Sequence, residues 1–583
     1  MHHLNDPRQI PLFDPWAAIL GRRRHATVRA GWQGLFHEVL LEQMPAGELA
    51  ECFHPALGRP TKELYSVAGL IFLKACNDWT DEEAVEAYCF RLDVQYALNV
   101  LPEQADLSLR TLERYNGLFR DLGLAGQVFD DVTGALIEHL ELVLSHQRTD
   151  SSHVYSNMAL IGRTTLMVQA LQRFLTQVIR HHRARYEALP EDLRQRYAKS
   201  GAAAPFGWGK NKSTTEQRRQ HRQQVADDMH FVLSFYDGDE AITAKDTYKQ
   251  LLRVFAEHCE VSEEAVTVRP KSDSRSIQNL TDPDATYDGK KGQGYQAQVC
   301  ETCSEHNDVQ LITSILPQTA ADCDCQALPE MIAHLEQTQR LPQELLADTA
   351  YGSDDNVLHC AEKGTELVAP VAKRKEGTED ALTPLDFEFD ETALRVRRCP
   401  AGHTPCNTGY SENRDEGYAT FPLATCEACP LFTRCQVYKH KKKYRLKYSR
   451  KGLRLEMRRR EQQGPAFKER YRKRAGVEGL MSALKRGFGF GRLRVRGQPA
   501  VDMEMYLKAA GYNLMRAATC RKRSYGISPR KTSLFQHLRA LLTAKAPFRN
   551  RQGAPSRFLC GTKATGGTRH HDSPYSPHPL LAG

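Results

Sequence analysis

The sequence predicts a multidomain α/β protein, and three observations carry that expectation. Its 583 residues exceed what one core normally holds, and 41% hydrophobic with 26% charged residues is too apolar for a disordered chain. Alternating, strand-like runs at Tyr295–Cys300 and Val309–Ile315 are followed by a helix pattern near 354–363 and an apolar strand, Glu366–Val371. Two long blocks, 34–121 and 164–260, read as mostly helical. The start of the chain lacks an apolar run behind a positive segment, so secretion is not expected, and sixteen cysteines then suggest reduced thiols or metal ligands. No uninterrupted apolar stretch approaches the roughly 18 residues needed to cross a bilayer. A soluble, cytoplasmic protein without a membrane partner is expected.

Taken in order, residues 1–33 read as an N-terminal extension and 34–125 as a helical module. Val67, Leu70, Ile71 and Leu73 form an apolar stripe after Gly58-Arg59-Pro60, and Asn77-Asp78-Trp79 ends it. Thr80 with Glu83 spells a capping box for a second helix, and Ser108 can cap a third carrying Leu109, Leu112 and Leu118. Short helices with tight turns suit a helix-turn-helix DNA module, and a plain bundle fits equally well. Leu142-Val143-Leu144 is a weak strand signal leading to Asp150. In the next block Leu171, Phe174, Leu175 and Val178 keep the helical period, and a Gly-rich loop at 201–209 carries Trp208. That indole could stack on an unpaired base or sit in a core. Val266-Thr267-Val268 is a further strand in outline, Gly292 and Gly294 punctuate the clearer ones, and Leu345-Leu346-Ala347 runs into Asp348. From Lys545 the chain is rich in Gly, Pro and Ser, and 545–583 is expected to be disordered.

Charge is unevenly placed. Lys439–Arg496 holds 22 Lys/Arg against Glu456, Glu461, Glu469 and Glu478, a balance of +18 in a chain whose net charge is +9. The rest of the chain is therefore net acidic. An excess confined to one segment favours a polyanionic partner, most simply nucleic acid, over a solvated helix face of mixed sign.

Within that segment Tyr471, Arg474, Glu478 and Lys485 follow at +3, +7 and +14. On a regular helix they fall within about 60° of one face, with Val477, Leu480 and Leu484 on the packing side. Spacing alone equally allows an ordinary ion-pair face. A second constellation is Cys399, His403 and Cys406 followed by Cys426-x2-Cys429 and Cys435. Two thiolates in C-x2-C can reach one tetrahedral Zn²⁺, so Cys399, Cys426, Cys429 and Cys435 are candidate structural zinc ligands, with His403 or Cys406 as substitutes. Reduced cysteines packing a small β subdomain is the competing reading.

The spacing Y-x2-R-x3-E-x6-K is similar to the signature of bacterial insertion-sequence transposases of the DDE class. Two further stretches match in order. Asp150 to Met158 resembles the segment with the first catalytic Asp in the long-insertion branch of that family. Ala347-Asp348-Thr349-Ala350-Tyr351 resembles the Ala-Asp-x-Gly-Tyr segment of the second, with Ala350 replacing Gly. The 34–121 block and the Gly-Phe-Gly-Phe-Gly run with its arginines resemble the family's N-terminal module and C-terminal motif. The resemblance implies a ribonuclease-H-like α/β catalytic core over 140–520, interrupted by a helical insertion (about 164–260) and a Cys-rich insertion (about 385–450), behind an all-helical DNA-binding module.

It further implies that Asp150 bridges two Mg²⁺ ions, for which Mn²⁺ can substitute, while Asp348 and Glu478 each hold one. Such a pair, roughly 3.5–4 Å apart, activates a water or 3′-OH and stabilises the leaving oxygen. Tyr471, Arg474, Lys485, Arg492, Arg494 and Arg496 would line double-stranded DNA, and the expected activity is cleavage at element ends with strand transfer by a nucleoid-associated homodimer. A related nuclease or resolvase, or an inactive transposase-derived DNA-binding regulator, are the alternatives; three intact carboxylates weigh against the last. Among competing acids, Asp130 and Asp131 lie in a helix pattern, and turn chemistry explains Asp282, Asp284 and Asp288. Asp322 and Asp324 follow a strand and could support the site from behind.

Overall fold

The computed structural model describes residues 2–9, 14–198, 214–262, 265–374, 380–390 and 394–524; Trp208 with its loop and the 545–583 tail lie outside them. From Pro15 to His139 the chain is helical. Thr80 accepts the Glu83 N–H at 3.1 Å while its own N–H donates to the Glu83 carboxylate at 2.8 Å, which closes the capping box. Ser108 caps the helix Leu109–Asp121. The helix Leu64–Asn77 buries eleven of its fourteen residues, so it is a core helix rather than an amphipathic surface one.

What buries it is the C-terminal helix, Gln498–Ser524. At the crossing, a Cβ on Gly511 would lie 2.8 Å from the Cys76 Cβ, so only glycine lets the two backbones approach. Lys508, with 1% of its side chain exposed, donates from Nζ to the carbonyls of Ala75 (3.1 Å) and Phe488 (2.8 Å) and to Asp78 Oδ1 (2.9 Å). A cation thus sits where the core helix ends in unpaired carbonyls. Leu70, Phe72 and Phe129 share one apolar cluster with Val299 and Ile315 of the sheet and with Met505 and Leu514. The N-terminal helices therefore have no core separate from the sheet. No break in packing marks residue 34 or 125: Trp16 packs edge-on against Tyr96 at 5.5 Å, and one helix runs Leu124–His139.

The main sheet is mixed. Strand β1 (His146–Val154) pairs antiparallel with β2 (Gly292–Thr302), which pairs antiparallel with β3 (Ile312–Thr319). On its other side β1 pairs parallel with β4 (Glu344–Leu346), and β4 parallel with β5 (Glu366–Val368). The order is β3-β2-β1-β4-β5, with Thr286–Asp288 extending the far edge of β2. This is the sheet that a ribonuclease-H-like fold requires. Leu142-Val143-Leu144 is irregular, and the strand starts only at His146. Its buried side is polar: Gln147 Nε2 donates to Arg340 O at 2.7 Å, and Thr149 Oγ1 donates to Val299 O at 3.1 Å. Satisfied polar groups can be buried at little cost, which is why hydropathy hides this strand.

Two excursions leave the sheet. Between β1 and β2 a helical bundle packs around its own core, including Leu171, Phe174, Met229 and Leu251. Between β5 and the helix that begins at Pro465, a four-stranded antiparallel sheet forms around Phe421, Leu446 and Tyr448. Among the described residues no helix is long and apolar enough to cross a membrane.

The helix Gly476–Gly487 is docked on β1 through Arg148. Arg148 pairs with Glu301 at 2.7 Å, the latter only 2% exposed, and Nη1 donates to Lys473 O at 2.8 Å. Arg148→Ala should cost about 3–5 kcal/mol in urea unfolding, because it leaves Glu301 buried without a counter-charge. Replacing Glu301 by Gln in the same chain should recover part of that loss. A cost under about 1 kcal/mol would show that the pair does not hold the helix.

Candidate active site

The register pairs Arg148 with Leu346, so two residues further on Asp150, still within β1, and Asp348, just past the end of β4, come to the same level. Both lie beside the point where the strand order reverses; open α/β sheets place ligands at such a point. Asp150 Oδ1 accepts the Ser151 N–H at 2.9 Å, and Oδ2 accepts Arg474 Nη2 at 2.8 Å. Burial holds the Asp150 carboxyl above the usual carboxylate range; Arg474 and the Ser151 N–H oppose this, while Asp348 and Asp324 add to it. Asp348 folds back on its own turn, accepting the Ala350 N–H at 2.8 Å. The small residue at 350 leaves the carboxylate in place.

Above this pair runs the segment with the Tyr471 spacing, although not as one regular helix. The helices Pro465–Arg472 and Gly476–Gly487 are joined by a tight 3₁₀ turn, Lys473–Ala475. Arg148 takes the Lys473 carbonyl there, and a Cβ on Gly476 would lie 1.9 Å from the Arg148 guanidinium. Three residues at 120° instead of 100° rotate the halves by about 60°, which still leaves Tyr471 within about 60° of the face shared by the others. Its ring stacks on Phe467 at 5.6 Å and packs on Cys303, Leu346 and Val368. Burial raises its phenol, with Asp348 and Asp150 in electrostatic range. The tyrosine thus anchors the first half-helix beside the two aspartates.

Glu478 lies one turn beyond Arg474 and two turns before Lys485. Burial lowers the Lys485 ammonium, Lys291 reinforces this and Asp150 opposes it. The turn residue Arg474 is thus ion-paired with Asp150, the helix residue Lys485 lies in its electrostatic range, and Glu478 stands between them in the chain. Its own carboxylate is exposed, without a hydrogen bond or ion pair among the described residues. Nor are three His, Cys, Asp or Glu side chains gathered, among those residues, into a group that could hold a metal. The convergence of Asp150, Asp348 and Glu478 expected from the sequence is thus incomplete: Arg474, rather than Glu478, occupies the free edge of Asp150. The donor chemistry nevertheless fits a hard cation such as Mg²⁺, which takes one or two carboxylates and fills its shell with water and phosphate oxygens.

Asp324, at the start of the helix Asp324–Gln337, is the second carboxylate that Asp150 senses. It accepts from Ser151 Oγ at 2.9 Å and from Gln298 Nε2 at 2.9 Å, and Lys291 Nζ lies 3.6 Å away. Lys291 also donates to Ser151 Oγ at 3.1 Å. Sequence pattern alone gives Lys291 no role; its one signal is the Asp-Gly-Lys-Lys-Gly turn that enters β2. Turn chemistry does not suffice for Asp282 either: it is fully buried, accepting from Ser156 Oγ at 2.5 Å, Tyr295 OH at 2.6 Å and the Gly497 N–H at 3.2 Å. His153 points away, its Nε2 3.2 Å from Gln293 O.

The arginine tail runs beside the end of β1, with Leu493 N–H bonded to Tyr155 O (2.7 Å) and Asn157 N–H to Val495 O (2.9 Å). Arg492, Arg494 and Arg496 alternate outward and are exposed, while bonding to Met158 O, Asp78 and Asn157 O. Of the 22 cations in Lys439–Arg496, eleven are ion-paired inside the chain, with acids that include Asp354, Asp355, Asp386 and Glu344. Much of the local excess is therefore spent on the fold. Lys439, Lys441, Lys442 and Lys443, on the hairpin formed by Tyr438–His440 and Lys443–Tyr448, carry no ion pair among the described residues.

With this geometry in view, residues 398–518, about a fifth of the chain, match a family model described as a transposase DDE domain. That span includes Tyr471, Arg474, Glu478, Lys485 and the arginine tail, and excludes both aspartates. No curated protein matches the sequence. A solved cryo-EM structure, the piggyBac transposase synaptic complex with hairpin DNA, aligns over 67% of this chain and 82% of its own at 10% identity, with a TM-score of 0.22. That superposition is too loose to carry residues across.

Removing Arg474 takes away a cation that favours ionised Asp150, so Arg474→Gln should raise the Asp150 pKa further. A raised carboxyl gives stability that is present at low pH and lost as pH climbs through its folded pKa. The variant should therefore match the unsubstituted protein near pH 4 and fall about 1–3 kcal/mol below it at pH 7 in urea unfolding. An equal deficit at both pH values would contradict the pairing.

Proposed function

We propose that this protein is a DDE-class DNA transposase that cleaves the ends of its element and joins the freed 3′-OH to target DNA. The observation that carries the reading is the placement of Asp150 within β1 at the level of Asp348, just past the end of the adjacent parallel strand β4, beside a turn that bears Arg474 and a half-helix that bears Glu478 and Lys485. In this reading Asp150 and Asp348 hold the Mg²⁺ ions, and Glu478 completes the set. When bound, the ions supply an activated nucleophile and charge stabilisation on the leaving oxygen.

The protein's own residues do the rest. Arg474 favours the ionised form of Asp150 and aligns it, and its planar fork suits a phosphate once it is released from that carboxylate. Lys485, with its weakened hold on a proton, is a compact cation beside the scissile region. Asp324 fixes Ser151, and with it the backbone N–H that orients Asp150. Arg492, Arg494 and Arg496 present a row of guanidiniums along one edge, and the lysine hairpin adds cations that position the duplex through its phosphates without reading sequence.

Asp150→Asn, Asp348→Asn and Glu478→Gln should each lower Mg²⁺-dependent nicking of a duplex bearing the element end to below about one-hundredth, while end binding by gel shift stays within about threefold. Normal nicking by Glu478→Gln would remove the signature helix from the site. Replacing Lys439, Lys441, Lys442 and Lys443 by Gln should flatten the slope of log K against log salt by roughly 0.9 for each phosphate that the hairpin no longer neutralises. An unchanged slope would place the DNA elsewhere.

A further inference from the structure

The second excursion has a segment that apolar burial does not hold. From Pro422 to Arg445 not one residue is buried, although the chain follows defined turns. The core beside it is small, with Phe387, Val396, Ala419, Phe421, Leu446, Tyr448 and Leu453 its buried members. A unit this size with so little apolar burial normally needs a covalent or metal staple. Its cysteines are free thiols.

Two arms bring those thiols together. In one, Cys399 N–H donates to His403 O at 2.9 Å, Gly402 N–H to Cys399 O at 2.8 Å, and His403 N–H to the Cys399 sulfur at 3.3 Å. Gly402, at φ +85°, makes that turn possible. In the other arm Cys429 N–H donates to Cys426 O at 3.1 Å, and Cys435 N–H to Phe432 O at 3.1 Å. Both arms face a cavity of about 30 Å³ lined by Cys399, Cys426, Cys429 and Cys435, with Phe387 and Phe432 among its apolar walls. Cys406 is not in that lining; it is exposed, and its thiol donates to Thr420 O at 3.2 Å. His403 lines the cavity from the first turn.

We propose that Cys399, Cys426, Cys429 and Cys435 form a structural Zn²⁺ site that pins residues 422–445 to the four-stranded sheet. Four thiolates around one small, apolar space match the tetrahedral sulfur shell zinc prefers, and C-x2-C supplies two of them from one turn. No three of these donors already stand at ligating distance among the described residues, so the ion itself closes the arms, and its binding energy becomes folding energy for the segment. The proposal is independent of the transposase reading.

The test is metal analysis of the full chain, purified without an affinity tag or chelator. The expected content is about one zinc per chain, with less than about 0.2 in Cys429→Ser and Cys435→Ser and full content in Cys406→Ser. Because a cysteine variant could misfold, the unsubstituted protein is also stripped with a chelator. Limited proteolysis should then cut within 422–445, and adding Zn²⁺ back should restore protection. Less than about 0.2 zinc in the unsubstituted protein, a disulfide between any two of the four cysteines, or full metal content in Cys429→Ser would overturn the assignment.

Discussion

The candidate site depends on one buried ion pair. Arg148 lies on β1, two residues before Asp150, and reaches in two directions: to the carboxylate of Glu301 on β2 and to the carbonyl of Lys473. Glu301 is nearly inaccessible, and burial lifts its carboxyl above the ordinary range while Arg148 pulls it back. A charge in that position needs its partner, so the guanidinium is fixed, and whatever it holds is fixed with it. What it holds is the junction between the two signature half-helices. Gly476 follows because any side chain there would run into the guanidinium. The segment from Tyr471 to Lys485 is thus two half-helices, joined at the contact that brings them to the sheet.

The electrostatics follow from that placement. Asp150, Asp348 and Asp324 gather on one side of the sheet, and Arg474, Lys485 and Lys291 approach from the other elements. Arg474 is held by Asp150 and Lys291 by Asp324. The remaining basic residues divide into those that tie the fold together and those that remain outside, at the hairpin tip and along the arginine row.

Much of this is legible in the sequence. The strands β2 and β3, the capping boxes, and the order of Asp150, Asp348 and Glu478 along the chain can be read from alternation, cap chemistry and motif spacing. β1 cannot, because its buried side chains include Gln147 and Thr149, whose burial is made acceptable by hydrogen bonds that they donate to distant carbonyls. Lys291 and Asp282 sit in turns where Asp, Gly and Lys are ordinary residues, so composition offers no reason to single them out. The packing of the N-terminal helices against the rest of the chain is hidden for a related reason. A stripe such as Val67, Leu70 and Leu73 shows that a helix is buried but not against what, and its partner lies more than 400 residues away, in the helix Gln498–Ser524.

The central claim is that the half-helix from Gly476 delivers Glu478 to the centre defined by Asp150 and Asp348. Ferrous iron in place of Mg²⁺, with ascorbate and peroxide, cuts a polypeptide where it is bound, and the fragments can be mapped by mass spectrometry. The account predicts cuts clustered near 150, 348 and 478, all suppressed together by excess Mg²⁺ and by Asp150→Asn. Cuts near 150 and 348 with none between 474 and 482, in the presence of end DNA, would contradict it.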